Sequence, residues 1–166
     1  LAAHRTSVCR RADVARCDVV PVDIGMAGEK TAGVLDRRVA DGTADFTVGP
    51  AMTREQTLSA IEVGMKLVED WKAKAFSLLA TGEMGIGNTT TSSAVAAALL
   101  GQPVETMTGR GAGLSDAGLA RKIDAIRRGI ALNRPDREDP LDVLAKLGGL
   151  DIAGLCGVFL GGALHG

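Results

Sequence analysis

The stretch 78–100, LLATGEMGIGNTTTSSAVAAALL, constrains this chain more than any other. The apolar run from Phe76 to Ala80 predicts a buried strand, and Gly82, Gly85 and Gly87 then allow a tight backbone turn. From Asn88 onward a polar cap and the hydroxyls of Thr89, Thr90 and Thr91 precede Ala94 to Leu100, a run of strong helix formers. A strand, a glycine turn and a helix in that order leave the first helical N–H groups without partners at the positive end of the peptide dipoles. Such an end attracts an anion, most often phosphate.

Two familiar phosphate loops fail here at a defining residue. Gly82, Gly87, Asn88 and Thr89 keep the spacing G-x-x-x-x-G-K-[ST], but Asn88 stands where the lysine belongs, so a β/γ-phosphate lacks its main counter-charge. Gly85 and Gly87 open a G-x-G whose third glycine would fall at Thr90. What remains is a neutral cradle of N–H and hydroxyl donors, suited to one phosphate monoester rather than a triphosphate. The alternatives are a glycine-rich turn without a ligand and a non-catalytic nucleotide-binding module with a degenerate P-loop.

The rest of the chain supplies helices around this unit. Cys17 to Ile24, rich in β-branched residues, reads as a short buried parallel strand, although Pro21 cannot donate to a ladder. Residues 28–50 mix glycine and charge without a period and read as an irregular excursion with one edge strand at Asp45 to Val48. Thr53 and Gln56 form a capping box, with Leu58, Ile61, Met65 and Val68 following at helical spacing. Ser115 or Asp116 caps a helix carrying Leu119, Ile123, Ile126 and Ile130, and Asp139 with Pro140 starts the next. Gly148 and Gly149 interrupt it, and Ile152, Leu155 and Phe159 then continue an apolar face. Gly157 and Gly161, four apart, let two backbones approach, either in a dimer or inside the domain. The chain opens with the closing turns of a helix running to about Arg11. The β-α-β-α order predicts one α/β domain over 1–166, an open, mostly parallel, Rossmann-like sheet flanked by helices, with ligands bound beyond the carboxyl ends of its strands.

Composition excludes several partners. With 19 basic and 20 acidic residues the net charge is −1, and aromatics are only 2%, so neither charge nor stacking favours nucleic acid. The longest apolar segment, Ile152 to Leu164, is short of the ~20 residues that span a bilayer, so no membrane role is expected. Cys9, Cys17 and Cys156 form no C-x-x-C pair and fit reduced thiols in a cytoplasmic protein. His4 and His165 stand at opposite ends and make no metal constellation.

Longer motifs carry a resemblance. Glu83 to Thr90 within GEMGIGNTT, then Gly109-Arg110-Gly111-Ala112-Gly113-Leu114-Ser115-Asp116 and Leu119-Ala120-Arg121-Lys122, are similar to the nicotinate-nucleotide:dimethylbenzimidazole phosphoribosyltransferase family of cobalamin lower-ligand assembly. Val22-Asp23-Ile24-Gly25, the segment from Asp45 to Gln56 and the segment from Asp139 to Leu144 resemble that family in the same order. The resemblance implies a pentosyltransferase. It would move the 5-phosphoribosyl group from nicotinate mononucleotide to 5,6-dimethylbenzimidazole, releasing nicotinate, with no cofactor or metal and as a homodimer. It places Glu83, Gly85, Ile86, Gly87, Asn88, Thr89, Gly111, Gly113 and Lys122 beside the substrate, Glu83 nearer the ribose or the incoming base than the phosphate. By helical spacing alone Lys122 lies at the edge of its helix's buried face, with Arg127 at the other edge. The resemblance puts the family's general-base glutamate beyond Gly166, so the catalytic residue is not identified here. The chain is expected to be a central portion of the enzyme with little turnover by itself.

Overall fold

The computed structural model describes Ala3 and residues 5–165, which fall into two compact units, Leu1–Gly42 and Thr43–Gly166. Of the opening helix expected through Arg11, Leu1, Ala2 and His4 lie outside the described residues.

In the first unit, helix α1 (Ser7–Ala15) is closed by Arg16 in the left-handed region at φ 54°, whose N–H reaches the Ala12 and Asp13 carbonyls. The strand expected over 17–24 is reduced to β1 (Val22–Asp23), which pairs in parallel with β2 (Leu35–Asp36), Val22 opposite Leu35. Pro21 takes the role open to a proline: its carbonyl accepts the Leu35 N–H at 2.9 Å, and no donor is asked of it. Asp23 then holds the turn. One oxygen accepts the N–H groups of Gly25 and Met26 at 3.1 and 2.7 Å, and the other receives Arg38 Nε and Nη2 at 3.1 and 2.7 Å. Arg38 also reaches the Gly28 carbonyl and Asp41, so one guanidinium ties the turn after β1 to the segment after β2.

The second unit is helical: α2 (Arg54–Lys72), α3 (Asn88–Leu100), α4 (Val104–Met107), α5 (Asp116–Asn133), α6 (Pro140–Leu147) and α7 (Leu150–His165). The capping box at the start of α2 is present, with Thr53 accepting the Gln56 N–H and Gln56 accepting the Thr53 N–H. Ser115, rather than Asp116, caps α5 by accepting the Gly118 N–H. Asp139 caps α6, with Pro140 at its first position.

The principal pair, α2 against α7, meets through backbone. A Cβ at Gly157 would fall on the Ile61 carbonyl, and one at Gly64 would fall on the Gly154 carbonyl and lie 2.7 Å from the Val158 nitrogen. The buried stripe of α7 is therefore Ala153, Gly154, Gly157 and Gly161, while Phe159 is exposed, which corrects the apolar face expected from Ile152, Leu155 and Phe159. Of the two uses open to the glycine pair, the structure shows close packing inside the chain. Helix α3 packs on α5 and α6, and α6 on α2, around Ile126, Leu147 and Val143. Burying each of these side chains contributes roughly 2 kcal/mol.

Two further strand expectations differ from what forms. Residues 45–48 make a turn, because the Asp45 carboxylate accepts both the N–H and the hydroxyl of Thr47 at 2.8 Å, and such local bonding competes with a ladder. Phe46 is buried against Gly129, where a Cβ would occupy its ring, and the Phe46 carbonyl accepts Asn133 Nδ2 at 2.7 Å. Residues 76–80 carry no ladder and are not buried: Phe76 is 40% and Leu78 85% exposed. Among the described residues no strand lies beside them, so the backbone hydrogen bonds a buried strand requires have no partner. Consequently the β-α-β-α order is not seen. The one ladder among the described residues is the two-stranded parallel β1–β2 pair, joined through residues 24–34 without a helix. The architecture is α/β, mostly helical with a small parallel sheet.

Candidate functional site

The glycine turn enters α3 as its composition requires. Gly87 is the residue before the helix, at φ 83°, a left-handed conformation that glycine adopts without a steric penalty. No side chain caps this helix start. Asn88 N–H reaches the Gly85 carbonyl at 3.3 Å and Thr90 N–H the Gly87 carbonyl at 2.8 Å. The whole turn from Thr81 to Gly87 is exposed to solvent.

Of the residues expected at the site, four meet at the first turn of α3. Lys122, only 7% exposed, sends its ammonium from α5 to Thr89 Oγ1 at 2.9 Å and to the Gly109 carbonyl at 3.0 Å. Gly111, at φ 56°, lies so close that a Cβ there would approach Thr89 Oγ1 to 2.8 Å. Asn88 donates from Nδ2 to Asp151 Oδ2 at 2.9 Å. Lys122 is thus not at the edge of the buried face: together with Gly118, Ile126 and Gly129 it forms that face, whereas Arg127 is exposed and ion-paired with Glu105. Burial pulls the Lys122 ammonium below the ordinary lysine range.

The other expected residues line the turn. Glu83 accepts the Gly85 N–H at 2.6 Å, a local cap of the kind an acid in a glycine loop often supplies. A Cβ at Gly85 would lie 2.6 Å from Asp151 Oδ2, 3.2 Å from Glu83 Oε2 and 3.3 Å from the Asn88 Cβ, so the turn is closely built on that side. Ile86 is fully exposed, and Gly113, at φ 98°, has open space where a Cβ would be. The structure does not draw these two toward Lys122.

The charge missing from the loop at Asn88 therefore arrives from another helix. A buried ammonium, the hydroxyl of Thr89 and the uncapped start of α3 stand together, and this is a set of donors for a small anion. Sequence reasoning missed Asp151 and the Gly109 carbonyl. Asp151 reads as an ordinary acid in the first turn of a helix, and its one sequence signal is the pair Gly148-Gly149 just before it, which reads as a break. Among the described residues no group of three His, Cys, Asp or Glu could hold a metal ion, and no helix is long and apolar enough to cross a membrane. His4 lies outside the described residues.

A family model described as phosphoribosyltransferase matches residues 1–166. The nicotinate-nucleotide–dimethylbenzimidazole phosphoribosyltransferase of Acetivibrio thermocellus is 54% identical over 147 residues, covering 88% of this chain and 42% of that protein. The protein of the same description from Geotalea uraniireducens is 50% identical over 159 residues, covering 96% of this chain and 45% of its own length. The crystal structure of CobT from Thermus thermophilus superposes with a TM-score of 0.91 at 39% identity, covering 98% of this chain and 49% of that one. A second structure from that organism, of nicotinate-nucleotide-dimethylbenzimidazole phosphoribosyltransferase, gives 0.88 at 37% identity, with 98% and 48% covered. The chain spans a little under half the length of the relatives it matches.

Proposed function

The chain belongs to the phosphoribosyltransferase family, and on that premise we propose that it holds the phosphate and ribose of nicotinate mononucleotide for transfer of the 5-phosphoribosyl group to 5,6-dimethylbenzimidazole. The observation that carries this reading is the Lys122 ammonium, buried and donating to Thr89 at the mouth of α3. An ammonium has three donors. Two are used by Thr89 and the Gly109 carbonyl, and the third serves the phosphate together with the N–H groups of the first turn.

The chemistry follows from charge. The pyridinium nitrogen of the donor is already cationic, so its bond to the ribose carbon breaks toward an oxocarbenium-like centre and nicotinate departs neutral at that nitrogen. The unprotonated nitrogen of the benzimidazole attacks the same carbon, and the proton on its other ring nitrogen is lost to a base. The residues named here fix one end of the donor and thereby its reacting carbon, a contribution of positioning. Glu83 stands on the Gly85 side of the turn, where a carboxylate suits ribose hydroxyls better than phosphate. Gly87, Gly111 and Gly113, each at positive φ, let the two glycine-rich stretches bend around the nucleotide. Ile86, fully exposed, adds apolar surface for a base.

The finer fold belongs to the same proposal. Residues 76–80, apolar yet exposed, are read as a strand of an open, Rossmann-like parallel sheet in the longer enzyme. A cytoplasmic homodimer is proposed with it, on the family membership alone.

Calorimetry tests the reading. Nicotinate mononucleotide is expected to bind saturably without Mg²⁺ and ATP is not. Binding of ATP that requires Mg²⁺, with none of the mononucleotide, would replace this reading with a degenerate P-loop.

A further inference from the structure

Asp151 meets the first turn of α3 at Asn88, the residue before the Thr89 that Lys122 holds. Its Oδ2 accepts Asn88 Nδ2 at 2.9 Å and lies 2.6 Å from the point a Cβ of Gly85 would occupy, while its Oδ1 occupies the space of a Cβ at Gly149. Thr91 Oγ1 donates to the Asn88 carbonyl at 2.9 Å, completing the support on that side. The consecutive residues Asn88 and Thr89 are thus held from two different helices by groups of opposite charge: Asp151 of α7 takes the amide, Lys122 of α5 takes the hydroxyl.

We infer that Asp151 is a positioning residue, which sets the conformation of the glycine turn through Asn88 so that the first turn of α3 points its donors at the phosphate. This rests on the nucleotide-binding reading above. The arrangement also accounts for the residue that breaks the P-loop pattern. A lysine at 88 would face the Asp151 carboxylate and pair with it instead of with phosphate, whereas an amide satisfies the carboxylate without adding charge. It further accounts for glycine at 85 and 149, since a side chain at either would displace the carboxylate. Asp151 itself is kept from the anion by the Asn88 amide that it binds.

The test compares Asp151→Ala, Asp151→Asn and Asn88→Ala. Affinity for nicotinate mononucleotide is expected to fall about tenfold or more in Asp151→Ala and in Asn88→Ala, the loss typical of a hydrogen bond to a charged group. Asp151→Asn, whose amide oxygen still accepts, is expected to recover most of that loss, with thermal midpoints of all three close to the parent. Hydrogen exchange of the amides over 85–91, without ligand, is expected to quicken in the two impaired variants and return in Asp151→Asn. Equal affinities in all three, or an Asp151→Asn variant as weak as Asp151→Ala, would overturn the inference. Should the parent chain bind no mononucleotide, the functional reading falls, and unchanged exchange in Asp151→Ala would then separately dispose of the positioning role.

Discussion

Lys122 Nζ lies 2.9 Å from Thr89 Oγ1, joining the middle of α5 to the first turn of α3 across 33 positions of sequence. The cost of desolvating that ammonium is offset by the hydroxyl and by one carbonyl, both neutral, so the site is arranged to gain from an arriving anion. Replacing Lys122 with methionine, which keeps the stem but removes the charge, is expected to weaken binding of nicotinate mononucleotide by about 10–100-fold, the range for a charge-assisted hydrogen bond. Stability should hold or rise, because a buried charge is removed. Titration calorimetry and thermal unfolding on the same variant separate the two effects.

The lowered pKa of Lys122 gives a pH signature of definite sign. In the free protein the unfolded chain holds this proton to higher pH than the folded one, so stability increases with pH between the lowered value and the ordinary lysine value. Phosphate binding requires the ammonium and restores its pKa, so affinity falls as pH rises through the lowered value, and binding in that window takes up a proton. Calorimetry in two buffers of different ionisation enthalpy measures the uptake. The Lys122→Met variant should show none of it.

Asp23 gives the opposite sign in the first unit. Burial alone would raise its pKa, but the Met26 N–H and the Arg38 guanidinium outweigh that and hold the carboxyl below the usual range. Its stabilisation is therefore present above the unfolded carboxylate pKa and lost as pH falls through the folded value. Asp23→Asn, which removes the buried one of the two carboxylates paired with Arg38, is expected to cost about 2–3 kcal/mol at neutral pH. Denaturant unfolding should show the gap between variant and parent closing in acid.

Much of the helical architecture was legible because its signals are local. The capping box at Thr53 and the cap and proline at Asp139-Pro140 each satisfy backbone groups within a few residues, and each formed where expected. The apolar run at 76–80 misled because a parallel strand is defined by a neighbour elsewhere in sequence, and none of the described residues provides it. β2 was missed since two residues, Leu35 and Asp36, are too few to show a period. At the site, the glycine turn and Thr89 could be read from spacing. Lys122 could not be told from Arg127 on the helical wheel, since what it meets, Thr89 of α3 and the Gly109 carbonyl, lies elsewhere in the sequence. Asp151 left no pattern because its partner is 63 residues away.

The small-residue seam between α2 and α7 yields a paired stability prediction. Gly157→Ala would drive a methyl group into the Ile61 carbonyl, which is backbone and cannot rotate aside, so a loss of about 3 kcal/mol is expected. Gly162→Ala, on the same helix with nothing within 4 Å of the new Cβ, should be neutral or gain up to about 1 kcal/mol from helix propensity. Thermal unfolding of the two variants side by side makes the comparison.

The most direct measurement of the central claim is the crystal structure of the chain grown with saturating nicotinate mononucleotide. The account predicts the phosphate at the start of α3, within hydrogen-bonding distance of Lys122 Nζ and of main-chain N–H groups between Gly87 and Thr90. Phosphate bound elsewhere on the surface, or a turn left empty while Lys122 keeps only Thr89 and Gly109, would contradict it.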